Sequence, residues 1–329
     1  MRRPANSSRV PRCIGPWRAA LLALGLKTAG RLSPEIHWAL RHGFASGVAV
    51  ERVYANQPRR SCTPVGRWLD GMYLRSPANA ALRARQTGVQ EAVETAVRRL
   101  RARGEDLRLF DPAAGAGRTG IRQMRLEKAK GTSARAVLGD HAAVARDPAH
   151  AAAQGAGVGD RVVVVDTDAW DPASLQARAQ GLAPNLVVVA GLYELEPDDT
   201  KVTASLNALA TLAAPLAFLV ITGMNTHPQA ALIERLTGTA PPPGRTADAL
   251  AERVAHAGFS PVQRWPGDRG VFDVVLLERR ECAGSHRATA QRPITRASHD
   301  VRRMRVEPSH SKQDHVETPA SGDRTDIDG

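Results

Sequence analysis

Leu107-Arg-Leu-Phe-Asp-Pro-Ala-Ala-Gly-Ala-Gly-Arg118 reads as a short buried strand that ends in an acid and opens onto a glycine-rich turn. Gly115 and Gly117 lack a β-carbon, so the backbone of such a turn approaches a ligand closely. Asp111, at the carboxyl end of the strand, falls where open α/β sheets hold ligands in a crevice.

Outward from this stretch, strands and helices alternate. Leu107–Phe110 is the first strand, and a helix containing Ile121, Met124 and Leu126 follows it. Ala134–Leu138 is a weak second strand ending at Asp140, and Ala142–Gln154 is an alanine-rich helix. Val162–Val165 is a β-branched third strand and Leu186–Ala190 a fourth. Thr200–Leu212 is a helix, Ala217–Thr222 the fifth strand, and Ala247–Ala257 a further helix. Pro261–Trp265 and Val271–Leu277 then form a hairpin-like terminal pair. This order predicts an α/β fold: a Rossmann-like, mostly parallel seven-stranded sheet with a terminal antiparallel strand.

Upstream the chain is helical and basic. Trp17–Leu26 is a short apolar helix that either docks on the domain or lies on a surface. Ser33-Pro34-Glu35 caps a helix running to about Arg41. Glu91–Arg103 is a helix with Val93, Ala96, Val97 and Leu100 on one face, ended by Gly104. The expected organisation is a basic, partly disordered segment over 1–30, a helical pre-domain over 31–104, the sheet domain over 105–280 and a disordered tail over 281–329.

Composition narrows the function classes. Of a net charge of +12, residues 1–110 hold 20 Lys and Arg against 7 Asp and Glu, whereas residues 111–280 hold 17 against 18. The basicity therefore belongs to the front end, where it suits peripheral contact with a membrane. No specific nucleic-acid partner is expected, because the basic positions lack interleaved aromatics. The longest apolar runs fall short of the ~20 residues of a membrane span. Cys13, Cys62 and Cys282 are odd in number and far apart, which fits unpaired thiols in a cytoplasmic compartment and no metal site.

Gly115, Gly117 and Gly120 match a dinucleotide-binding spacing, so an NAD(P)-dependent oxidoreductase is one reading. Asp111 ahead of the glycines argues for another, since a negative charge there suits a ligand carrying positive charge. Asp140, 25 residues after Gly115, is placed to meet a ribose in either case. Asp168-Ala169-Trp170 offers an acid and an aromatic that suit an adenine ring.

Several segments occur in an order that resembles a known family. They are Arg41-His-Gly-Phe-Ala-Ser-Gly47, Val53-Tyr-Ala-Asn-Gln-Pro58, Asp111–Arg118, Asp168-Ala-Trp-Asp171, Gly191-Leu-Tyr-Glu-Leu195, Thr222-Gly223 with His227-Pro-Gln229, and Gly270-Val-Phe272. The stretch from Arg41 to Glu278 is similar to a family of class I S-adenosylmethionine-dependent methyltransferases, some of whose members are fused to an α/β hydrolase. The resemblance implies S-adenosylmethionine as cofactor and leaves the acceptor open, the basic front end and the hydrolase fusion of relatives being compatible with a small-molecule or lipid-like one. It implies that Asp111, Gly115 and Gly117 hold the methionine moiety, and that Asp140 holds the ribose. Asp168, Ala169 and Trp170 would meet the adenine, and Gly191 would line the site near the transferred methyl. Methyl transfer depends largely on alignment, and Glu194 and His227 are the candidate general bases for it. The chain departs from the family pattern at Pro112, at Ala116 and over His141–Ala145. A protein that keeps the fold and has lost catalysis is therefore a further reading.

Overall fold

In the computed structural model, the described residues are 15–28, 32–42, 47–57, 63–225, 229–238, 244–267 and 270–280. Strand β1 (Arg108–Asp111) is paired in parallel on both flanks, to β2 (Arg135–Asp140) and to β4 (Leu186–Val189). Strand β3 (Val162–Asp166) continues the sheet beyond β2, and β5 (Phe218–Met224) continues it beyond β4, both in parallel. Strand β7 (Phe272–Arg279) runs antiparallel to β5 and to the edge strand β6 (Phe259–Pro266). The seven strands lie in the order β3-β2-β1-β4-β5-β7-β6, the mostly parallel sheet with an antiparallel last strand that the sequence predicts. Pro261 sits at a register shift in β6, which its edge position allows.

Helices cover both faces. Helices α5 (Pro77–Ala102), α6 (Arg118–Ala129) and α7 (Ala143–Gly155) pack on one side. Helices α8 (Pro172–Ala179), α9 (Asp199–Leu212) and α11 (Ala247–Ala255) pack on the other. Alternation along each strand feeds both layers: Leu109 of β1 joins Val93, Leu100 and Met124, whereas Phe110 joins Leu175 and Leu206. All four residues of β4 are buried, as expected of a central parallel strand covered on both faces.

The front end forms α1 (Pro16–Thr28), α2 (Pro34–His42), α3 (Gly47–Ala55) and α4 (Pro64–Leu74). Ser33 caps α2 as predicted, its Oγ accepting the Ile36 N–H at 3.1 Å. Thr63 and Ser76 cap α4 and α5 in the same way, each followed by proline, and each cap contributes about 1 kcal/mol. Helix α1 docks through Ala19 and Ala23 onto Leu232 of α10 (Ala230–Thr237). The helix expected over Glu91–Arg103 is the second half of α5, which starts at Pro77 and runs for 26 residues. Its first half was not expected because it carries small residues rather than an apolar stripe. Those small residues let it approach the sheet: a β-carbon at Gly88 would stand 3.0 Å from Val274 Cγ2. The same helix places Val89, Ala92 and Ala96 in the core of the sheet, so α5 is part of the sheet's own hydrophobic interior.

Among the described residues no helix is long and apolar enough to cross a membrane, and no group of three or more His, Cys, Asp or Glu could hold a metal ion. The three cysteines, residues 1–14, His227 and residues 281–329 lie outside the described residues.

Gly223 of β5 meets the start of α11 so closely that a β-carbon there would stand 2.0 Å from the Ala247 nitrogen. Backbone cannot yield as a side chain does. Gly223→Ala is expected to destabilise the fold by about 2–3 kcal/mol, measured as a drop in the urea midpoint at unchanged slope; an unaltered midpoint would show that α11 is free to move.

Candidate active site

The strand order reverses between β1 and β4, and a cleft of about 340 Å³ opens at their carboxyl ends. Its walls bring together Asp111, Gly115, Asp140, Trp170 and Gly191, five of the residues singled out from sequence. Helix α3 contributes Glu51 and Tyr54 to the same cleft, and α5 contributes Arg85 and Gln86. Glu51 pairs with Arg118 at the head of α6, and the Gln86 side chain donates to Thr119 Oγ1 at 2.9 Å, so the front helices are tied to the glycine turn.

The turn itself is fixed by the acids that flank it. Gly115 and Gly117 adopt φ of 57° and 70°, a left-handed backbone that glycine tolerates without strain. Asp140 Oδ2 accepts the Gly115 N–H at 2.9 Å, and Oδ1 accepts the Ala142 N–H at 2.9 Å. One carboxylate thus holds the glycine turn after β1 against the start of α7. Nothing lies within 4 Å of where a Gly115 β-carbon would stand, so that side of the turn is open. Asp111 is buried, and its Oδ1 accepts the Ala113 N–H at 3.2 Å. Burial pushes its carboxyl up to about 7 against the pull of that hydrogen bond, and nearby Asp140 adds to the rise.

On the β4 side a buried polar network closes the floor. Arg85 donates to Glu194 Oε1 at 3.0 Å and to the Tyr54 hydroxyl at 3.0 Å, and its guanidinium lies 4.8 Å from the Phe272 ring centre. Thr222 donates to the same Glu194 oxygen at 2.9 Å and accepts the Gly191 N–H at 2.9 Å. Burial works against the Arg85 cation, yet Tyr54 and Glu194 together hold its pKa above the ordinary value. Gly191, at φ 83°, has no room for a side chain, since a β-carbon would come within 2.8 Å of Arg85 Nη2.

The other expected residues take different places. Gly117 caps α6 and packs under Leu138, away from the cleft lining. Asp168 is outside the lining too: its Oδ1 accepts the Trp170 N–H at 2.9 Å and so fixes the loop that carries the indole. Ala169 is buried, its carbonyl accepting from Ser205 Oγ at 2.6 Å. Trp170 does face the cleft, edge-on to Tyr193 at 5.9 Å. Glu194, expected as a general base, is buried outside the cleft lining with Oε1 committed to Arg85 and Thr222. His227, the other expected base, is outside the described residues. Arg85 escaped the sequence reading. Its signal was its register: it continues the buried series Ala78, Ala81, Gly88, Ala92 along α5, where an arginine needs a buried partner.

Residues 6–279 match a protein family described as "putative methyltransferase". The uncharacterized protein YnbC of Escherichia coli (strain K12) is 31% identical over 263 residues, which make up 78% of this chain and 44% of YnbC. The chain thus spans less than half the length of that relative. Among solved structures, a possible exported protein from Bordetella parapertussis superimposes with a TM-score of 0.58 at 19% identity, over 81% of this chain and 95% of the other. That likeness is one of fold.

Two measurements probe the site's electrostatics. Glu194→Ala leaves the Arg85 cation buried without its counter-ion and is expected to cost about 3–5 kcal/mol in urea unfolding; wild-type stability would mean that Arg85 finds water or another partner. Asp111 holds its proton more tightly in the folded state than in the unfolded chain, where the value is 3.8. Its contribution to stability is therefore complete below about pH 4 and is lost as pH rises through about 7. Asp111→Asn should flatten this decline and be more stable than wild type near pH 8 by about 2–4 kcal/mol. A variant that keeps the wild-type pH dependence would place the titration elsewhere.

Proposed function

The chain belongs to the methyltransferase family that its residues 6–279 match, and on that premise we propose that the cleft binds S-adenosylmethionine for methyl transfer to a small-molecule or lipid-like acceptor. The observation that carries this reading is the pair of acids set around an open glycine turn at the point where strand order reverses. When bound, the cofactor supplies an electrophilic methyl group on a sulfonium.

The residues present fit such a group. Asp111 would face its ammonium, and a cation beside that carboxyl would draw off the proton that burial retains. Asp140 uses one lone pair of Oδ2 on the glycine turn and one of Oδ1 on the start of α7, and the remaining pairs are acceptors for ribose hydroxyls. Trp170 would cover the adenine, held in place by Asp168 rather than with Asp168 itself in the cleft. Glu194 would act as a positioning residue, keeping Arg85 and Tyr54 at the floor beside Gly191. Alignment of the acceptor against the walls from α3 and α5 would then supply much of the rate.

A dinucleotide reading is disfavoured by the buried acid ahead of the glycines, since a negative group there opposes a pyrophosphate.

Calorimetric titration with S-adenosylhomocysteine, using NAD(P) in parallel, tests the assignment. Saturable binding of the first ligand is expected, weakened roughly ten- to a hundredfold by Asp140→Ala through the loss of hydrogen bonds worth about 1.5–3 kcal/mol. Affinity should rise with pH through about 7, and Asp111→Asn should abolish that rise. No heat at millimolar ligand with folded protein would point to a fold that has lost its cofactor, and tight binding of NAD(P) alone would overturn the reading.

A further inference from the structure

Helix α1 carries apolar residues on every side, with Arg18 and Lys27 as its charged residues. One side is spent on α10 through Ala19 and Ala23, whereas Trp17, Leu21 and Leu24 stand 63%, 63% and 62% exposed. These three recur at four- and three-residue spacing and so form one stripe. Helix α4 carries a second such stripe in Val65, Trp68 and Met72, with Trp68 at 59%. The two helices share an apolar cavity of about 200 Å³, walled by Leu22, Leu26, Leu69 and Met72. Leu22 and Met72 are half-exposed, so the cavity reaches the surface beside them. Exposed apolar side chains gathered in this way mark a docking surface.

The charge around them identifies what docks. Among the described residues of 15–42 and 63–76, the only acids are Glu35 and Asp70, and both are buried. The cations Arg18, Lys27, Arg41, Arg67 and Arg75 are all exposed. Arg18 lies over the Trp17 ring at 5.1 Å. A second copy of the chain would bring the same positive charge to the contact, whereas an anionic surface complements it. Against the expectation that the basic positions lack aromatics, Trp17 stands next to Arg18 and Trp68 next to Arg67; such aromatic and cation pairs settle at a bilayer's headgroup boundary.

We propose that α1 and α4 form a docking face for an anionic lipid bilayer, with Trp17, Leu21, Leu24 and Trp68 entering the headgroup boundary. The face lies outside the cleft, so its failure leaves the cofactor reading standing, and the failure of that reading leaves the face.

Sedimentation of the full chain with phosphatidylcholine vesicles, with and without phosphatidylglycerol, tests this. Binding is expected to the anionic vesicles and to fall steeply with salt. Leu21→Ser and Trp68→Ser should each weaken it by roughly tenfold. These are surface positions, and circular dichroism together with the urea midpoint would report whether each variant is folded. Failure to sediment with anionic vesicles overturns the proposal. So does binding that both serine variants retain in full, which would reduce the contact to charge alone. Dimerisation of the wild type in light scattering, lost in the same variants and without vesicle binding, would give the face to a second copy instead.

Discussion

Strand β1 is hydrogen-bonded in parallel on both flanks, and the cleft exists because of it. From β1 the chain winds outward through α6 and α7 to β3 on one face of the sheet. It then returns through α8 to β4, on the other side of β1 and over the opposite face. Right-handed crossovers leave no alternative once the order is set. The loops after β1 and β4 therefore diverge, and what they carry faces a common space: the glycine turn on one side and Gly191 on the other.

Two polar constructions keep that space in shape. Asp140 joins the turn after β1 to the start of α7 by hydrogen bonds from two backbone amides. Arg85 joins α5 to the loop after β4 through Glu194, and to α3 through Tyr54. A buried ion pair adds little net stability over a well-packed apolar pair, but loss of either member strands a charge. Its effect here is geometric. It fixes where the helical front end meets the sheet, which makes α3 and α5 walls of the cleft rather than a separate cap.

Strand β4 was legible because burial on both faces demands an apolar, β-branched run, Leu186–Val189. Edge strand β3 was legible from its valines Val162–Val165 alone, although Val163 is exposed. The glycine turn was legible because few residue types tolerate the backbone it needs. Helices α4 and α8 carry the same readable start as α2, a capping residue before proline in Thr63-Pro64 and Asp171-Pro172, so their signal was local and available. Arg85 was a different case. Its partners Tyr54 and Glu194 stand 31 and 109 residues away, and only the fold shows that they meet. The same holds for Asp168, whose sequence suits an adenine site but whose carboxylate turns back on its own loop. The exposed stripes of α1 and α4 belong to this class too: the sequence shows apolar helices, and only packing shows which sides stay uncovered.

The central claim is that the crevice between β1 and β4 holds the methyl donor. Its most direct test is a crystal structure of the chain with S-adenosylhomocysteine. The account predicts the ligand in that crevice, its ammonium beside Asp111, its ribose on Asp140 and its adenine against Trp170. Ligand bound elsewhere on the chain, or a crevice left empty at saturating concentration, would contradict it.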